Sequence, residues 1–416
     1  MGKQNIQKML ERAKASTAVL ACVKTEKKRA ALKAMAKSIL RERRAIMRAN
    51  ERDLSRNKER LSKPMAERLL LDRSRIESMA ESLVEIARLK DPIGKVSDII
   101  RRPNGLRIGK MRVPIGVIMI VYESRPNVTS DCIGLCLMSG NSVILRGGSE
   151  AVNSNAAIFE AMRPAVKRFG IPDGAINMVM DTDRAIVHHL LRQSDYIDLV
   201  IPRGGESLIR NVAEHSTIPV IKHYKGVCHT FVDSPCDLEM AMRICVNAKV
   251  QRPGVCNAME TLLVHARSAK SFLPGFVEEM KKRGVELRGC ARTRSIVRGV
   301  KRALEKDWYT EYLDLILSVK VVRGIDEAVA HITKYGSRHS DAIVTKNTRN
   351  AEVFLRAVDS SCVYLNASTR FTDGKQFGKG AEIGISTDKI HARGPMGIED
   401  LTTYKYVIYG SGHVRS

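Results

Sequence analysis

The chain has 416 residues, 44% of them hydrophobic and 28% charged, with 70 Lys and Arg against 45 Asp and Glu for a formal net charge of +25. That length accommodates two or more domains, each with its own core, and the composition is that of a soluble globular protein. The longest apolar runs, such as VPIGVIMIVY (113–122), fall well short of the roughly 20 residues that a membrane span requires. The opening MGKQNIQKMLERAKAS is charged throughout, with no apolar segment of the signal-peptide kind. The nine cysteines form no CxxC pair, so reduced thiols and a cytoplasmic location are expected.

The first 90 residues read as amphipathic helices. Leu32, Met35, Ala36, Ile39 and Leu40 recur at helical spacing, and the basic residues of KKRA and RERR take the other face. This stretch holds 24 Lys and Arg against 11 Asp and Glu, about half of the excess positive charge. Such a surface is of the kind that attracts nucleic acid. Aromatics are only 5% of the chain, however, and are not interleaved with the charges, so no base-stacking platform shows and nucleic-acid binding is not expected as the main function. Ser62 reads as a helix cap, with Pro64 in the first turn of KPMAERLLL. Residues 98–116 (DIIRRPNGLRIGKMRVPIG) read as a hairpin turning at Pro103-Asn104-Gly105. Charge on both sides of its arms suits a projecting hairpin that pairs with another subunit.

From residue 113 the pattern alternates. The strands VIMIVY, SVILR, INMVM, YIDLVI and IPVIKHY are separated by helical stretches around TSDCIGLCLM, after GGSEAVNSN, at DRAIVHHLLRQ and after PRGGES. A second alternating block follows residue 227, with HTFVD, a helix over 237–250, ETLLVH, a helix over 269–282 and further pairs to CVYLN (362–366). The tail LTTYKYVIYG (401–410) returns to strand chemistry. Strands alternating with helices indicate βαβ units and parallel sheets, here in two α/β domains.

Parallel sheets bind ligands at the carboxyl ends of their strands, often with phosphate at a helix N-terminus. Two Gly-rich junctions fall there, LRGGSEA (145–151) and IPRGGES (201–207). Bare backbone N–H groups at each suit a pyrophosphate, with Arg146 or Arg203 adding charge, although neither is a GxGxxG and ordinary turns also carry two glycines. No GxxxxGK[ST], HExxH or paired CxxC occurs, so neither a P-loop nor any metal-binding residue is expected. Cys256 lies in VQRPGVCNAMETLLVH (250–265), where it is either packed core, as free cysteines usually are, or a nucleophile. It sits at a helix-to-strand junction, after Gly254, which leaves room for a substrate, and near Arg252, which suits a thiolate or an anion. Cys132, Cys136 and Cys245 lie in apolar helical surroundings and read as packing.

From about Val113 to Tyr409 the blocks VPIGVIMIVYESRPNVTSD, SVILRGGSEA, KHYKGVCHTFVD, QRPGVCNAMETLLVH, STRFTDG and GAEIGISTDKIHARGPMGIEDLTTYKY occur in one order. In these the sequence resembles the γ-glutamyl phosphate reductases, an acyl-phosphate-reducing branch of the aldehyde dehydrogenase superfamily; the basic helical N-terminus matches only in kind. The resemblance implies an aldehyde-dehydrogenase-like α/β fold with two Rossmann-like three-layer α/β/α domains and a small β oligomerisation element. A dinucleotide-binding domain is expected over 1–97 and 115–226, a catalytic domain over 227–398, and the oligomerisation hairpin and tail strand at 98–114 and 399–416. It also implies a reaction, the second step of proline synthesis from glutamate. L-Glutamate 5-phosphate and NADPH give L-glutamate 5-semialdehyde, phosphate and NADP through a thioester.

Residue by residue, the resemblance makes Cys256 the nucleophile and Asn127, from SRPNVT, a donor to the oxyanion alongside the Cys256 backbone N–H. Arg146, Gly147, Gly204, Gly205 and Glu311 are expected at the cofactor, and Ser124, Arg125, Arg252, Thr369 and Arg370 at the substrate. Oxidising members of the superfamily place a water-activating Glu where KHYKGVC (222–228) has no carboxylate and His223 stands instead. That absence favours reduction over hydrolysis to an acid. Expected partners are the small-molecule substrate, further copies of the chain in a dimer or tetramer, and glutamate kinase; no membrane is expected. An aldehyde or acyl-CoA dehydrogenase and a basic nucleic-acid-binding protein are the readings to be separated from this one.

Overall fold

The computed structural model describes residues 3–59, 61 and 63–415, so the cap expected at Ser62 lies outside the described residues. The chain divides into two compact units, Met1–Lys222 with Gly378–Gly384 and Met396–Ser416, and His223–Phe377 with Ile385–Pro395. The boundary expected at 226/227 thus falls at 222/223, and two later segments return to the first unit.

The first unit begins with helices α1 (Lys3–Leu20), α2 (Thr25–Arg41), α3 (Arg43–Arg56), α4 (Lys63–Leu69) and α5 (Arg73–Arg88). The apolar stripe of α2 is buried at Leu32, Met35, Ala36 and Ile39, and that of α5 at Ile76, Met79, Leu83 and Ile86. Lys27, Lys33, Lys37, Arg41 and Arg48 face solvent. Lys28 departs from this basic face: it is fully buried, 2.9 Å from Asp91, and donates to the Met138 carbonyl. Strands β1 (Val96–Arg101) and β2 (Arg107–Pro114) form the hairpin, followed by β3 (Val117–Tyr122), α6 (Asn127–Met138), β4 (Ser142–Gly147), α7 (Val152–Arg168), β5 (Ile176–Met178), α8 (Arg184–Leu190), β6 (Leu199–Arg203) and α9 (Glu206–His215).

A four-stranded parallel sheet of order β5-β4-β3-β6 is the centre of this unit. Every residue of β3 is buried, as a strand covered on both faces by helices requires. Tyr122 at the end of β3 is in register with Gly147 of β4 and Arg203 of β6. The carboxyl ends therefore align, and the two Gly-rich junctions share one edge. The strand expected at IPVIKHY reduces to a single bridge between Val200 and Val220; Pro219 within it has no N–H to give to a ladder.

The second unit contains β7 (Cys228–Val232), α10 (Leu238–Val250), β8 (Met259–His265), α11 (Ala266–Lys282), β9 (Glu286–Gly289), α12 (Ala291–Ile296), β10 (Lys301–Arg302), α13 (Glu305–Trp308), β11 (Ile316–Val322), α14 (Ile325–Tyr335), β12 (Ser340–Val344), α15 (Thr348–Ala357) and β13 (Cys362–Leu365). Its strands make a seven-stranded parallel sheet of order β10-β9-β11-β8-β7-β12-β13. A core of Leu262, Val264, Phe272, Phe276, Leu317 and Val319 packs on one face, and one of Phe231, Leu263, Ile343 and Phe354 on the other. Two short strands, β14 (Gly384–Ser386) and β15 (Gly394–Met396), pair with each other. The last strand, β16 (Thr402–Tyr409), runs antiparallel to β2 and completes the sheet β1-β2-β16.

Candidate active site

Cys256 lies in the turn between α10 and β8, part-exposed, at the amino ends of the central strands of the second sheet. This is the edge opposite to the one that parallel sheets commonly use for ligands. The turn is held from three sides. The Cys228 thiol, at the start of β7, donates to the Cys256 carbonyl at 3.2 Å. The Thr369 hydroxyl donates to the Asn257 carbonyl at 2.7 Å, and the Asn257 side-chain amide donates to the Thr372 carbonyl at 2.7 Å. Arg370 donates through Nη1 to Asn257 Oδ1 and through Nε to Gln251 at 2.8 Å.

Gly226 approaches the same turn so closely that a Cβ there would overlap the backbone of Cys256, its carbonyl oxygen first. Gly254 is less demanding: a Cβ there would meet only Leu313 O, at 3.7 Å.

Two histidines lie beside Cys256. One ligand atom of each of His223, His339 and Cys256 lies within 4.8 Å of the others, and the two rings meet edge to face with centroids 5.6 Å apart. His339 is fully buried just before β12, with Nδ1 2.9 Å from Ser340 Oγ. Ser340 is hydrogen-bonded to Thr372, and Thr372 to Tyr364. Burial pushes the Cys228 thiol well above its usual range, with Asp341, Cys256 and Glu311 adding to the effect. Cys228 therefore stays a neutral donor behind Cys256. On the other side, burial pulls the Arg370 guanidinium below its ordinary value and the positive charge of Arg252 adds to this, while Cys256 opposes it. The two arginines and the cysteine are thus within electrostatic reach of one another.

Glu311 is part-exposed in the segment before β11. Its charge reaches Cys228 and Glu260. Glu260 is fully buried, 2.6 Å from the buried Lys249, and accepts from the Leu313 N–H at 3.1 Å. Burial pushes its carboxyl up to about 7 and pulls the Lys249 ammonium down. This pair anchors the Glu311 segment from below.

The first unit carries the other expected residues. Ser124 adopts a left-handed φ of 36° after β3, and its N–H and hydroxyl both donate to Glu150 Oε1, at 2.6 and 2.9 Å. Gly147 approaches Asn155 and Tyr122 too closely to admit a Cβ. Gly204 leads into α9, and the Gly205 N–H at its start donates to Glu123 Oε2 at 2.8 Å. An anion of the chain itself already occupies that helix N-terminus, the position a phosphate takes in nucleotide sites. Arg146 is buried and donates to the carbonyls of Thr182 and Gly147, at 2.7 and 3.1 Å. Burial holds its guanidinium below the usual value, neighbouring Arg184 adds to this, and Glu150 opposes it. Arg146 and Arg203 each bury an Nε that has no acceptor among the described residues. The unspent donors of Arg146 and Arg203 fit the phosphates of a dinucleotide, with which Glu123 competes for the Gly205 N–H. Asn127 is exposed in the first turn of α6, its amide donating to Asp131 at 3.1 Å. Arg125, part-exposed, precedes it.

Sequence reasoning missed His339, Cys228, Gly226 and Arg184. The first two read as ordinary strand residues in RHSDAIVT and VCHTFVD, and no local pattern distinguishes them. Gly226 lies in KHYKGVC, where nothing in the local sequence shows which backbone approaches it. Thr369, expected at the substrate, is fully buried with its hydroxyl spent on the Asn257 carbonyl.

A model of the aldehyde dehydrogenase family matches residues 3–291. With the paired parallel sheets and the cysteine turn, this defines the class as an α/β oxidoreductase. A γ-glutamyl phosphate reductase of Caldanaerobacter subterraneus subsp. tengcongensis is 57% identical over 406 residues, 97% of this chain and 98% of the relative. One from Thermoanaerobacter pseudethanolicus is 56% identical over the same shares. The crystal structure of γ-glutamyl phosphate reductase from Thermotoga maritima superposes with a TM-score of 0.96 at 49% identity, covering 99% of each chain. The chain belongs to the aldehyde dehydrogenase family, among its γ-glutamyl phosphate reductases.

Proposed function

We propose that this chain reduces L-glutamate 5-phosphate to L-glutamate 5-semialdehyde with release of phosphate, using NADPH and a thioester on Cys256, as the second step of proline synthesis. The observation that carries this is the Cys256 turn itself. A part-exposed thiol stands beside two imidazoles, on a turn whose two carbonyls are both engaged.

An imidazole, His223 or His339, takes the Cys256 proton, and the thiolate attacks the acyl carbonyl. The C–O bond to phosphate breaks and phosphate leaves with the electron pair. The oxyanion is met by the Cys256 backbone N–H and, on the strength of the SRPNVT motif, by the Asn127 amide; losing one such donor costs roughly 10²–10³ in rate. NADPH, when bound, supplies the hydride that reduces the thioester. Expulsion of Cys256 as thiolate then releases the aldehyde, and the imidazolium returns the proton. Arg252 and Arg370 serve the anionic substrate, and Ser124 and Arg125 are assigned to it by motif.

Gly147, Gly204 and Gly205 admit the backbone to the cofactor's phosphates, Glu311 holds the nicotinamide ribose, and Arg146 with Arg184 favours a 2′-phosphate. A relative of the fold, an engineered glycolyl-CoA reductase 13% identical with a TM-score of 0.67, was solved with NADP⁺. Assembly of further copies through the β1-β2-β16 sheet belongs to this reading, supported by the exposed Ile99, Ile100, Tyr406 and Ile408. A cytoplasmic location and an association with glutamate kinase complete it; no helix among the described residues is long and apolar enough to cross a membrane.

The reverse reaction tests the proposal. Glutamate 5-semialdehyde, NADP⁺ and phosphate are offered to the wild type and to Cys256→Ala, and NADPH absorbance is followed. Phosphate-dependent NADPH formation that is lost in the variant is expected. Formation that needs no phosphate identifies a hydrolytic aldehyde dehydrogenase instead, and formation that needs CoA an acylating one.

A further inference from the structure

We propose that His223, Cys256 and His339 form an inhibitory binding site for a borderline-soft divalent cation, Zn²⁺ above all. The three residues come from separate places, the segment before β7, the turn before β8 and the approach to β12. Yet a ligand atom of each lies within 4.8 Å of the other two. Zinc bound by a thiolate at about 2.3 Å and by imidazoles at about 2.0–2.1 Å in tetrahedral geometry needs its ligands roughly 3.3–3.7 Å apart. Closure therefore asks for movements of about an ångström, within reach of rotation of the part-exposed Cys256 and His223 side chains about a fixed His339.

His339 has the surroundings of a metal ligand. Its ring is fully buried, and Nδ1 lies 2.9 Å from Ser340 Oγ, which is itself held through Thr372. Metal-binding histidines are oriented in this way by a hydrogen bond at the other ring nitrogen. Two imidazoles and one thiolate select zinc over the hard cations Mg²⁺ and Ca²⁺, and three protein ligands leave a fourth position for water or phosphate. Binding replaces the thiol proton: the S–H bond breaks, an S–Zn bond forms and one proton is released, with no change of oxidation state. The bound thiolate is then withheld from any electrophile, so occupancy switches the cysteine off reversibly.

The inference stands on the geometry of the cluster and not on the identity of the substrate. Its test has a readout independent of turnover. The full chain, stripped with a chelator and kept reduced, is titrated with Co²⁺ and then with Zn²⁺. The expected result is one equivalent of Co²⁺ bound with a thiolate-to-cobalt charge-transfer band and tetrahedral visible bands, displaced by Zn²⁺. Cys256→Ser abolishes the charge-transfer band, His223→Ala and His339→Ala each weaken binding at least tenfold, and Ser340→Ala weakens it by about 10–100-fold. Cys22→Ser, at an exposed thiol elsewhere, leaves the titration unchanged. Zn²⁺ inhibits turnover and a chelator restores it. A missing charge-transfer band, or one that forms in His223→Ala at the same Co²⁺ concentrations as in the wild type, overturns the site; His223 is part-exposed, so this variant is the one to rely on if His339→Ala does not fold. A chain that binds Co²⁺ as described but lacks reductase activity keeps the metal site and loses the proposed function.

Discussion

The backbone of Gly226 is packed against the carbonyl of Cys256 so closely that any side chain at Gly226 would occupy the space of that carbonyl. The position of Cys256 is thus set by a residue in the segment before β7, through contact with its backbone. Gly226→Ala pushes the turn away, and displacements near 1 Å cost on the order of 10² in rate. A kcat for NADPH-dependent turnover lowered to that degree is the expected result. Unchanged turnover would show that the turn relaxes without moving the thiol.

Thr369 supports the same turn through the Asn257 carbonyl. Thr369→Val leaves that buried acceptor without its donor, a cost of about 1–3 kcal/mol. Stability falls by that amount in a denaturant titration, and kcat falls with little change in KM for the substrate. A rise in KM alone would return Thr369 to the substrate-contacting role that its motif suggests.

Glu123 holds the N–H at the head of α9. A carboxylate at a helix N-terminus competes with an incoming phosphate by about 0.3–1 kcal/mol. Glu123→Gln is accordingly expected to lower the KM for the dinucleotide by about two- to fivefold, measured at low ionic strength. A raised KM would mean that Glu123 itself holds the cofactor.

Arg146 decides cofactor preference in the proposed function. A hydrogen bond to a charged group contributes about 1.5–3 kcal/mol, so Arg146→Leu reduces kcat/KM with NADPH at least tenfold and leaves the value with NADH nearly unchanged. An unaltered ratio between the two cofactors would remove Arg146 from the 2′-phosphate.

His331 provides a pH signature. Burial lowers its pKa to about 2 from the usual 6.5, and neighbouring His229, Lys320 and Lys334 add to this. The folded state thus keeps the ring neutral where the unfolded chain protonates it. Its contribution is complete above the ordinary histidine value and is lost as pH falls from there toward 2, at about 1.4 kcal/mol per pH unit. Trp308, the single tryptophan, packs 5.3 Å from His331 and reports the transition locally. The urea midpoint followed by its fluorescence should drop between pH 7.5 and 5.5 in the wild type and change less in His331→Phe. Equal slopes in the two proteins would contradict this.

The sequence alone determined the order of helices and parallel strands, because apolar periodicity and Gly-Pro punctuation are local and each strand is buried by its own residues. It also placed Cys256 in a turn, since VQRPGVC cannot extend α10 across Pro253-Gly254, and it put both Gly-rich junctions at strand ends. Other features depended on which strand lies beside which, and that order, β7 between β8 and β12, is written in no local pattern. Only the tertiary structure decided that His223 and His339 converge on Cys256, that Cys228 stands behind it as a neutral donor, and that Thr369 and Gly226 fix its turn. The same holds for the two carboxylates: Glu123 sits on the Gly205 N–H that the second glycine motif left open, and Glu150 holds the Ser124 N–H after β3. Side-chain chemistry was readable along the chain; the distances that turn it into a site come from long-range packing.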